Sequence, residues 1–256
     1  MNIFAESISL QAGKKTILSD ISTTFADGQT TVIYGSNGSG KSSLLKIIAG
    51  LQKPSAGEIR YGEKVLNKIP AKALAVIRAI VLQNPPLPVG MRVNELLSLA
   101  RYAFDTGKKA DRNAIEKAVA DAGCEKFIDR RMETLSGGEI RRVYLALALA
   151  QEPEIVLLDE PEANTDAAFH AAFPALLRQL RSQRDLTVIM VTHDLDLALK
   201  CADRIIGLNS GSIVFSSDIN APDLQETLTG FTGNSKELFR DDSGSLRAIA
   251  RYRELI

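Results

Sequence analysis

The sequence predicts an α/β fold with a three-layer core, an N-terminal antiparallel β subdomain and a helical insertion. Apolar and polar residues alternate over residues 8–25, as they do in half-buried antiparallel strands. Residues 155–158 and 188–191 are continuous apolar runs, which are typical of parallel strands covered on both faces. Residues 92–150 have mostly helical spacing, and the loop 84–90 before them contains three prolines.

The same patterns predict the remaining elements in chain order. Antiparallel strands fill the first 25 residues, with turns at Ala12-Gly13 and Asp27-Gly28. The other predicted strands are Thr30–Tyr34, a hairpin within Pro54–Gly62, Ile80–Leu82, Ile155–Leu158, Val188–Val191, Arg204–Leu208 and Ile213–Phe215. The predicted helices are Lys41–Ala49, Val93–Tyr102, Arg112–Ala122, Gly138–Ala150, Ala167–Arg181 and Leu195–Ala202. The tail from Asn220 predicts one helix followed by irregular structure.

These elements divide the chain into three predicted parts. Residues 1–83 and 151–217 form the α/β core with its antiparallel β subdomain, residues 84–150 form the helical subdomain, and residues 218–256 form a C-terminal tail. In open α/β sheets, ligands bind at the carboxyl ends of the strands. We therefore look for chemistry in the residues that directly follow each predicted parallel strand.

Composition excludes several classes of protein. The 256 residues are 45% apolar, which is too many for a disordered chain. Lys plus Arg and Asp plus Glu are equal at 31 each, and this zero net charge argues against a nucleic-acid binder. Cys124 and Cys201 are too far apart for a metal motif, so reduced thiols are expected. There is no secretory signal pattern and no apolar run near the roughly 18 residues of a spanning helix.

A glycine-rich loop after the strand Thr30–Tyr34 predicts a phosphate-binding site. Residues 35–42 match the pattern G-x-x-x-x-G-K-[ST] and open a predicted helix, the context that the pattern requires. Backbone N–H groups and the helix N-terminus would hold phosphates, Lys41 would reach the β- and γ-phosphates, and Ser42 would bind Mg²⁺. The predicted nucleotide-binding residues here are Gly35, Ser36, Asn37, Gly38, Ser39, Gly40, Lys41, Ser42 and Ser43.

Two acidic residues, Asp159 and Glu160, end the apolar strand Ile155–Leu158. Side chains alternate along a strand, so the turn after Leu158 must re-aim Glu160 if both carboxylates serve one site. We expect Asp159 to hold Mg²⁺ and Glu160 to act as the general base toward water. The structural alternative is that Asp159 and Glu160 are ordinary solvated acids at a strand end. The presence of the glycine-rich phosphate-binding pattern in the same chain favours the functional interpretation.

Three further polar positions follow the same logic. Ser136-Gly137-Gly138 opens a predicted helix, which makes a second set of N–H groups suited to phosphate, although a plain Ser N-cap fits as well. His193 follows the strand Val188–Val191 and could face a γ-phosphate. Gln83 ends another strand, where its amide could reach a Mg²⁺-bound water. His170, on an amphipathic helix, is expected to be structural.

In this order, the motifs resemble the ATP-binding subunit of ABC transporters over about residues 3–217. Residues 35–42 are similar to the Walker A loop, Gln83 to the Q-loop, 135–139 to the signature, 155–160 to Walker B, Asp166 to the end of the D-loop and His193 to the switch histidine. The resemblance implies ATP and Mg²⁺ as cofactors and a head-to-tail homodimer, in which Ser136, Gly137 and Gly138 serve the nucleotide of the partner, and it also implies that Asp166 is a nucleotide-binding residue.

The resemblance also implies a place in the cell. A subunit of this kind pairs with two integral-membrane permease subunits and a substrate-binding protein, and lies peripherally on the cytoplasmic face of the inner membrane. Val93-Asn94-Glu95-Leu96 and Leu99-Ala100-Arg101-Tyr102 look most similar to importers of the iron-siderophore, haem and cobalamin type, with Ala100 where Gly is usual. Residues 84–150 would receive the permease. Importers of zinc or manganese are the nearest alternative.

Two features depart from the family pattern. The aromatic residue that usually stacks on adenine would fall near Ala12, where no aromatic stands. The D-loop, residues 162–166, keeps Asp166 but lacks the usual small polar residues and Leu. ATP binding remains the prediction despite these two departures.

Three other classes share parts of this pattern. An ATPase for iron–sulfur cluster assembly also uses the LSGGE sequence and would dock a soluble scaffold. A DNA-repair or chromosome-structure ATPase needs a long coiled coil between Walker A and the signature, and only about ninety residues lie there. A P-loop kinase would lack LSGGE.

Overall fold

The computed structural model describes residues 1–163, 165–232, 236–241 and 246–250. Its strands are β1 (Ile3–Ala12), β2 (Lys15–Phe25), β3 (Thr30–Tyr34), β4 (Ala56–Tyr61), β5 (Lys64–Val65), β6 (Arg78–Val81), β7 (Ile155–Asp159), β8 (Thr187–Thr192), β9 (Arg204–Asn209), β10 (Ser212–Asp218), β11 (Lys236–Arg240) and β12 (Leu246–Ala250). Its α-helices are α1 (Lys41–Ile48), α2 (Ala71–Ile77), α3 (Val93–Ser98), α4 (Lys108–Ala122), α5 (Gly137–Ala150), α6 (Ala167–Gln183), α7 (Leu195–Cys201) and α8 (Leu224–Thr232). The predicted α/β class is confirmed.

A six-stranded sheet forms the centre of the fold, in the order β10-β9-β3-β8-β7-β6. All its neighbours are parallel except β10, which runs antiparallel to β9. The register pairs Tyr34 with Thr192 and Asp159 with Val191, so the carboxyl ends of β3, β7 and β8 lie side by side. The loops that follow these strands therefore meet at one edge of the sheet.

Alternate residues of the central strands belong to two different cores. On β7, Ile155 and Leu157 pack with α1 and the four-stranded antiparallel sheet β2-β1-β4-β5. Val156 and Leu158 pack instead with the helices on the opposite face, including residues of α5, α6 and α7. A strand buried on both faces needs an unbroken apolar run, which is why its periodicity is absent from the sequence.

The helical subdomain contains α3, α4 and α5, with α4 and α5 packed closely against each other. Ala118 and Ala122 of α4 and Val143 and Ala146 of α5 are buried in the same core as the far face of the central sheet. The first predicted helix of the region, Val93–Tyr102, is shorter than expected, since α3 ends at Ser98 and continues as a 3₁₀ turn over Leu99–Arg101. The subdomain is thus built directly onto the end of β6 and the start of β7.

The tail differs from the prediction. The helix α8 is present, but the expected irregular structure contains an antiparallel hairpin of β11 and β12. The hairpin packs on α7, where the N–H of Ala248 donates to Asp196 Oδ1 at 3.2 Å. A lone two-stranded hairpin is marginal, so its support comes from α7, a contact that the tail sequence does not reveal.

The sequence analysis does not predict the helix α2. The helix α2 has only seven residues, starts after Pro70 and buries Leu74 alone among them. Two turns are too short to establish a helical period in sequence. In the part of the chain that the structure describes, no helix has the length and apolar content needed to cross a membrane.

Candidate active site

The glycine-rich loop connects β3 to α1, as predicted, and its backbone fits glycine alone at two positions. A Cβ at Gly35 would lie 2.2 Å from the carbonyl oxygen of Leu208. Gly40 has φ +103°, and a Cβ there would lie 2.9 Å from the carbonyl oxygen of Ile17. No described side chain caps the N-terminus of α1, and the buried Oγ of Ser39 has no hydrogen-bond partner among the described residues. These unpaired donors and the helix N-terminus are suited to an anion such as a phosphate.

Lys41 lies inside this loop and is buried. Its Nζ donates to the carbonyl oxygens of Gly35 at 2.8 Å and Ser36 at 2.9 Å. Burial lowers the pKa of Lys41, while the charges of Glu160 and two further carboxylates oppose that change. The ammonium is therefore held at the loop by backbone oxygens, in a place where it can also meet a phosphate.

Ser42 and Asp159 come together although 117 residues separate them in sequence. Ser42 Oγ donates to Asp159 Oδ1 at 2.8 Å. Burial raises the pKa of Asp159, and the hydrogen bond from Ser42 works against that rise. A hydroxyl and a carboxylate are oxygen ligands of the kind that Mg²⁺ prefers, so this pair fits the predicted metal site.

Glu160 is re-aimed by its backbone, as the sequence requires for two adjacent carboxylates. Its φ is +45°, a left-handed conformation that few residues other than glycine adopt. Gln83 Nε2 donates to Glu160 Oε2 at 2.6 Å, and His193 Nδ1 lies 3.5 Å from Glu160 Oε1. Side chains from the ends of β6, β7 and β8 thus converge on one carboxylate.

A cavity of about 360 Å³ opens at this point. It is lined by residues of the glycine-rich loop and by Gln83 and Glu160, and on the side of the antiparallel sheet by Lys15 and Ile17. Ala12 is not among its lining residues. The apolar side chain that could contact the adenine ring here is therefore the aliphatic Ile17. No aromatic side chain lines this cavity in the part of the chain that the structure describes.

The signature residues lie apart from this cavity. Ser136 and Glu139 form a capping box at the start of α5, in which Glu139 Oε2 accepts from the N–H of Ser136 at 2.8 Å and Ser136 Oγ accepts from the N–H of Glu139 at 3.3 Å. Gly137 lines a second cavity, of about 200 Å³, together with Gln83 and Arg141. Ser136, Gly137 and Gly138 do not line the cavity at the glycine-rich loop.

Asp166 and His170 are both engaged within the chain. Asp166 caps α6, since its Oδ1 accepts from the N–H of Phe169 at 2.7 Å. His170 Nε2 lies 3.1 Å from Asp194 Oδ2, the contact of a structural histidine. Asn164, the middle residue of the predicted D-loop, lies outside the described residues.

Arg141 is a site residue that the sequence analysis did not single out. The side chain is buried, donates through Nη1 to the carbonyl oxygen of Leu82, and donates through Nη2 to that of Glu160 at 2.6 Å. Burial lowers the pKa of the guanidinium, while the charges of nearby carboxylates oppose this. In the sequence, Arg141 is only one of two adjacent arginines, beside Arg142. The helical period does not indicate which of the two side chains points inward.

Glu162 is the second such residue. It brings a third carboxylate to the cluster, where Oε1 accepts a hydrogen bond from Thr192 Oγ1 and lies 3.9 Å from His193 Nδ1. Burial raises its pKa, the charge of Glu160 adds to the rise, and the Thr192 hydrogen bond opposes it. The sequence marked this position only as a departure from the small polar residue that the family resemblance implies.

The fold and this site define a class of protein. The chain has a parallel sheet, a glycine-rich loop between β3 and α1, and an Asp at the end of β7 that accepts a hydrogen bond from the Ser of that loop, with β8 between the two strands. These features define a P-loop nucleoside triphosphatase. The Ser-Gly-Gly sequence at the N-terminus of α5 is the feature that indicates one subgroup of these enzymes.

A family model described as ABC transporter matches residues 18–163, and the chain belongs to this family. It is therefore an ATPase of the ABC type. The "Probable siderophore transport system ATP-binding protein YusV" of Bacillus subtilis is 36% identical over 215 residues, which cover 82% of this chain and 78% of that protein. The ferric enterobactin transport ATP-binding protein FepC of Escherichia coli is 33% identical over 213 residues, covering 82% and 79%.

Solved structures agree with this assignment. The dimeric structure of a bacterial ABC transporter cassette is similar with a TM-score of 0.79 and 26% identity, and the match covers 86% of this chain and 99% of that one. A post-hydrolysis state of the same cassette, bound to ADP and phosphate, is similar with a TM-score of 0.78 and 26% identity, over the same shares of the two chains.

Proposed function

We propose that this chain is the ATP-hydrolysing subunit of a membrane importer for an iron chelate of the siderophore type. It acts as a homodimer on the cytoplasmic face of the cell membrane, bound to two permease subunits that receive substrate from a binding protein. The names of the two relatives support the substrate class, because they refer to siderophore transport and ferric enterobactin transport. The observation that carries the hydrolytic role is the convergence of Gln83, Glu160 and His193 beside Lys41.

The residues of the chain divide the work of phosphoryl transfer. Ser42 and Asp159, with help from Gln83, would hold Mg²⁺, which would supply neutralising charge to the phosphates. Lys41 and the N–H groups of residues 35–43 orient the phosphate chain at the N-terminus of α1. Positioning and charge stabilisation account for most of the rate in this class of reaction.

Glu160 is the proposed general base toward the attacking water. Its carboxylate is directed by the left-handed backbone, by the Gln83 amide and by His193, so it has little freedom to turn away. The loss of a general base typically lowers a rate by about 10²–10⁴-fold. We expect Glu160→Gln to bind ATP with unchanged affinity and to hydrolyse it slower by that factor.

A matched variant separates binding from chemistry. Lys41→Ala should lose ATP binding itself, measured by titration with a fluorescent ATP analogue, whereas Glu160→Gln should retain it. Glu63→Gln, in the exposed turn after β4, is the control for loss of a carboxylate. Wild-type turnover in Glu160→Gln would remove Glu160 from the role of base, and wild-type affinity in Lys41→Ala would remove Lys41 from the phosphate site.

The separation of the glycine-rich helix starts of α1 and α5 supports the proposed dimer. In one chain, Ser136, Gly137 and Gly138 do not line the cavity at the glycine-rich loop, which favours the proposal that they serve the nucleotide of a second copy. Each complete site then contains Lys41 of one protomer and Ser136 of its partner.

Mixed dimers test this composition directly. Lys41→Ala and Ser136→Arg should each be inactive alone, because each damages both sites of a homodimer. Mixed dimers contain one doubly damaged site and one intact site, so random mixing should restore roughly a quarter of the wild-type sites. If both motifs served the same chain's nucleotide, mixing would restore nothing. Size-exclusion chromatography of Glu160→Gln with ATP and Mg²⁺ should also give twice the 27.7 kDa of one chain.

The permease contact is proposed on residues 84–102. Four large apolar side chains of this segment are exposed, namely Leu87, Val89, Leu99 and Tyr102, the last by 90%. Apolar side chains concentrated in one exposed segment are typical of a protein-binding surface. The same segment directly follows Gln83, which donates to Glu160, so movement of a bound permease helix would reach the side chain that holds this carboxylate.

Cysteine crosslinking tests the contact. Tyr102→Cys should crosslink to a permease cysteine in membrane vesicles that contain the whole transporter, whereas Val214→Cys, on the exposed face of β10, should not. The native thiols give little background because Cys124 and Cys201 are buried. Crosslinks confined to Val214→Cys would contradict the proposed surface.

A further inference from the structure

Glu162 is buried at the active site with one oxygen unused. Its side chain is only 8% exposed, and it lies in the loop between β7 and α6, two residues after Glu160. Oε1 accepts from Thr192 Oγ1, at the end of β8. Oε2 is buried and has no hydrogen-bond partner among the residues that the structure describes. A buried carboxylate is costly, so its presence here calls for a reason beyond packing.

His193 faces this carboxylate and that of Glu160 with the same ring nitrogen. Nδ1 lies 3.5 Å from Glu160 Oε1 and 3.9 Å from Glu162 Oε1, and the rest of the ring is half exposed. Ionised carboxylates only accept hydrogen bonds, and a neutral imidazole carries its proton on one nitrogen alone. Two acceptors around Nδ1 therefore favour the tautomer in which Nδ1 carries the proton.

We propose that Glu162 is a positioning residue for His193, which together with Glu160 keeps the ring proton on Nδ1. The inference rests on the proposed role of His193 toward the terminal phosphate of ATP. With Nδ1 protonated, the neutral ring presents a bare Nε2, and a phosphate oxygen is also an acceptor. Contact between His193 and that phosphate therefore needs a second proton, on Nε2, which makes the ring a cation between the phosphate and two carboxylates.

The surrounding charges agree with this arrangement. Lys41 and Arg141 are the buried cations of the same cluster, and both interact with Glu160 and Glu162. Asp194, which follows His193, is engaged by His170. Glu160 and Glu162 are thus the carboxylates that act on Nδ1, and Glu162 accounts for an interaction that a small polar residue at this position would not provide.

The chain offers an internal reference for the test. Its two histidines face carboxylates through opposite nitrogens, since His170 approaches Asp194 with Nε2 at 3.1 Å. In the full-length protein without nucleotide, labelled with ¹⁵N-histidine at about pH 8, long-range ¹H–¹⁵N spectra should show one ring protonated on Nδ1 and one on Nε2. His170→Gln assigns the two sets of signals.

Glu162→Gln is the informative variant because it keeps the size of the side chain and removes its charge. Glu162 acts on Nδ1 by charge across 3.9 Å, and a partly exposed charge contact of typical strength corresponds to at most about a 5-fold change in the tautomer ratio, so the Nδ1-protonated share of His193 should fall by up to that factor. The His170 signals and the control Glu63→Gln should not change. Glu162→Thr, a smaller polar variant, should reproduce the result if Glu162→Gln folds poorly.

Hydrolysis provides the second readout. In Glu162→Gln, kcat should fall by about 10-fold while KM stays within about 2-fold, since the phosphate-binding loop is untouched. A wild-type His193 protonated on Nε2, or a tautomer ratio that Glu162→Gln and Glu162→Thr leave unchanged, would overturn the assignment of Glu162. Wild-type hydrolysis by His193→Ala would instead overturn the proposed phosphate contact, and the tautomer result would still decide the positioning role.

Discussion

Replacement of Arg141 should lower the free energy of unfolding and disturb the active site. The buried guanidinium donates to the carbonyl oxygens of Leu82 and Glu160, which follow β6 and β7. It thereby joins the ends of two parallel strands to a helix of the other subdomain. It also holds the carbonyl of Glu160, whose φ of +45° needs such support, because a left-handed conformation costs about 1–3 kcal/mol.

The magnitude follows from these contacts. Hydrogen bonds from a charged group contribute about 1.5–3 kcal/mol each. Glu160 keeps a second donor after the change, because the N–H of Ala163 also reaches its carbonyl at 3.0 Å, so the larger loss falls at Leu82. Arg141→Met also removes a cation from three buried carboxylates. We expect a loss of about 3–5 kcal/mol in the free energy of unfolding, the usual cost of breaking a buried ionic network.

Urea denaturation followed by circular dichroism measures this loss, and ATP hydrolysis measures the effect on Glu160. Arg141→Lys keeps the charge but reaches only one carbonyl, so it should lose about half as much stability. Arg142→Met is the matched control, since that guanidinium lies 4.7 Å from the ring of Phe169 in a contact of about 0.5–1 kcal/mol. The reasoning is refuted if Arg141→Met is no less stable than Arg142→Met.

Three further predictions concern buried groups elsewhere in the chain. Glu162→Gln should be more stable than the wild type at pH 8, because burial raises the pKa of Glu162 above its ordinary value of 4.5 and penalises the ionised form. This gain should shrink as the pH falls through the folded-state pKa and vanish near pH 3, where the carboxyl is protonated in both folded and unfolded chains, and urea titrations at the two pH values check it. Burial raises the pKa of the thiols of Cys124 and Cys201 to about 12, so a thiol reagent at pH 8 should modify neither in the native protein and both in denaturant. Arg101→Met should lower the free energy of unfolding by about 2–3 kcal/mol in urea titration, because the buried guanidinium donates to the carbonyl of Ala150 at 2.9 Å.

The fold was predictable where the sequence has one dominant local signal. The strand Thr30–Tyr34 has the predicted bounds, because a β-branched run between a turn and a glycine-rich loop leaves few alternatives. The run Ile155–Leu158 was predictable as a two-face strand from its lack of periodicity. The hairpin of β11 and β12 was not, because its stability depends on α7, about fifty residues earlier in the chain.

The site shows the same division between local and tertiary information. Four polar residues lie at a strand end or within two residues after it, namely Gln83, Asp159, Glu160 and His193. The rule that strand ends share one edge of a sheet is enough to bring them together. Arg141 reaches that edge from a helix, and its inward direction depends on how α5 packs on β6. The sequence therefore indicates which residues lie at strand ends. It does not indicate that a helix side chain such as Arg141 holds those residues in place.

The electrostatics of this edge explain why Glu162 matters. Asp159, Glu160 and Glu162 place three carboxylates beside a loop built for a polyanion, and like charges at short range disfavour each other. Lys41 and the N-terminus of α1 offset part of that repulsion, and a metal ion held by Asp159 would offset more. A small polar residue at position 162 would carry no charge. The carboxylate of Glu162 therefore adds a negative charge that these cationic groups would otherwise not have to offset. Under the proposed arrangement, the Nδ1 proton of His193 lies beside Glu160 and Glu162 and offsets part of this added repulsion.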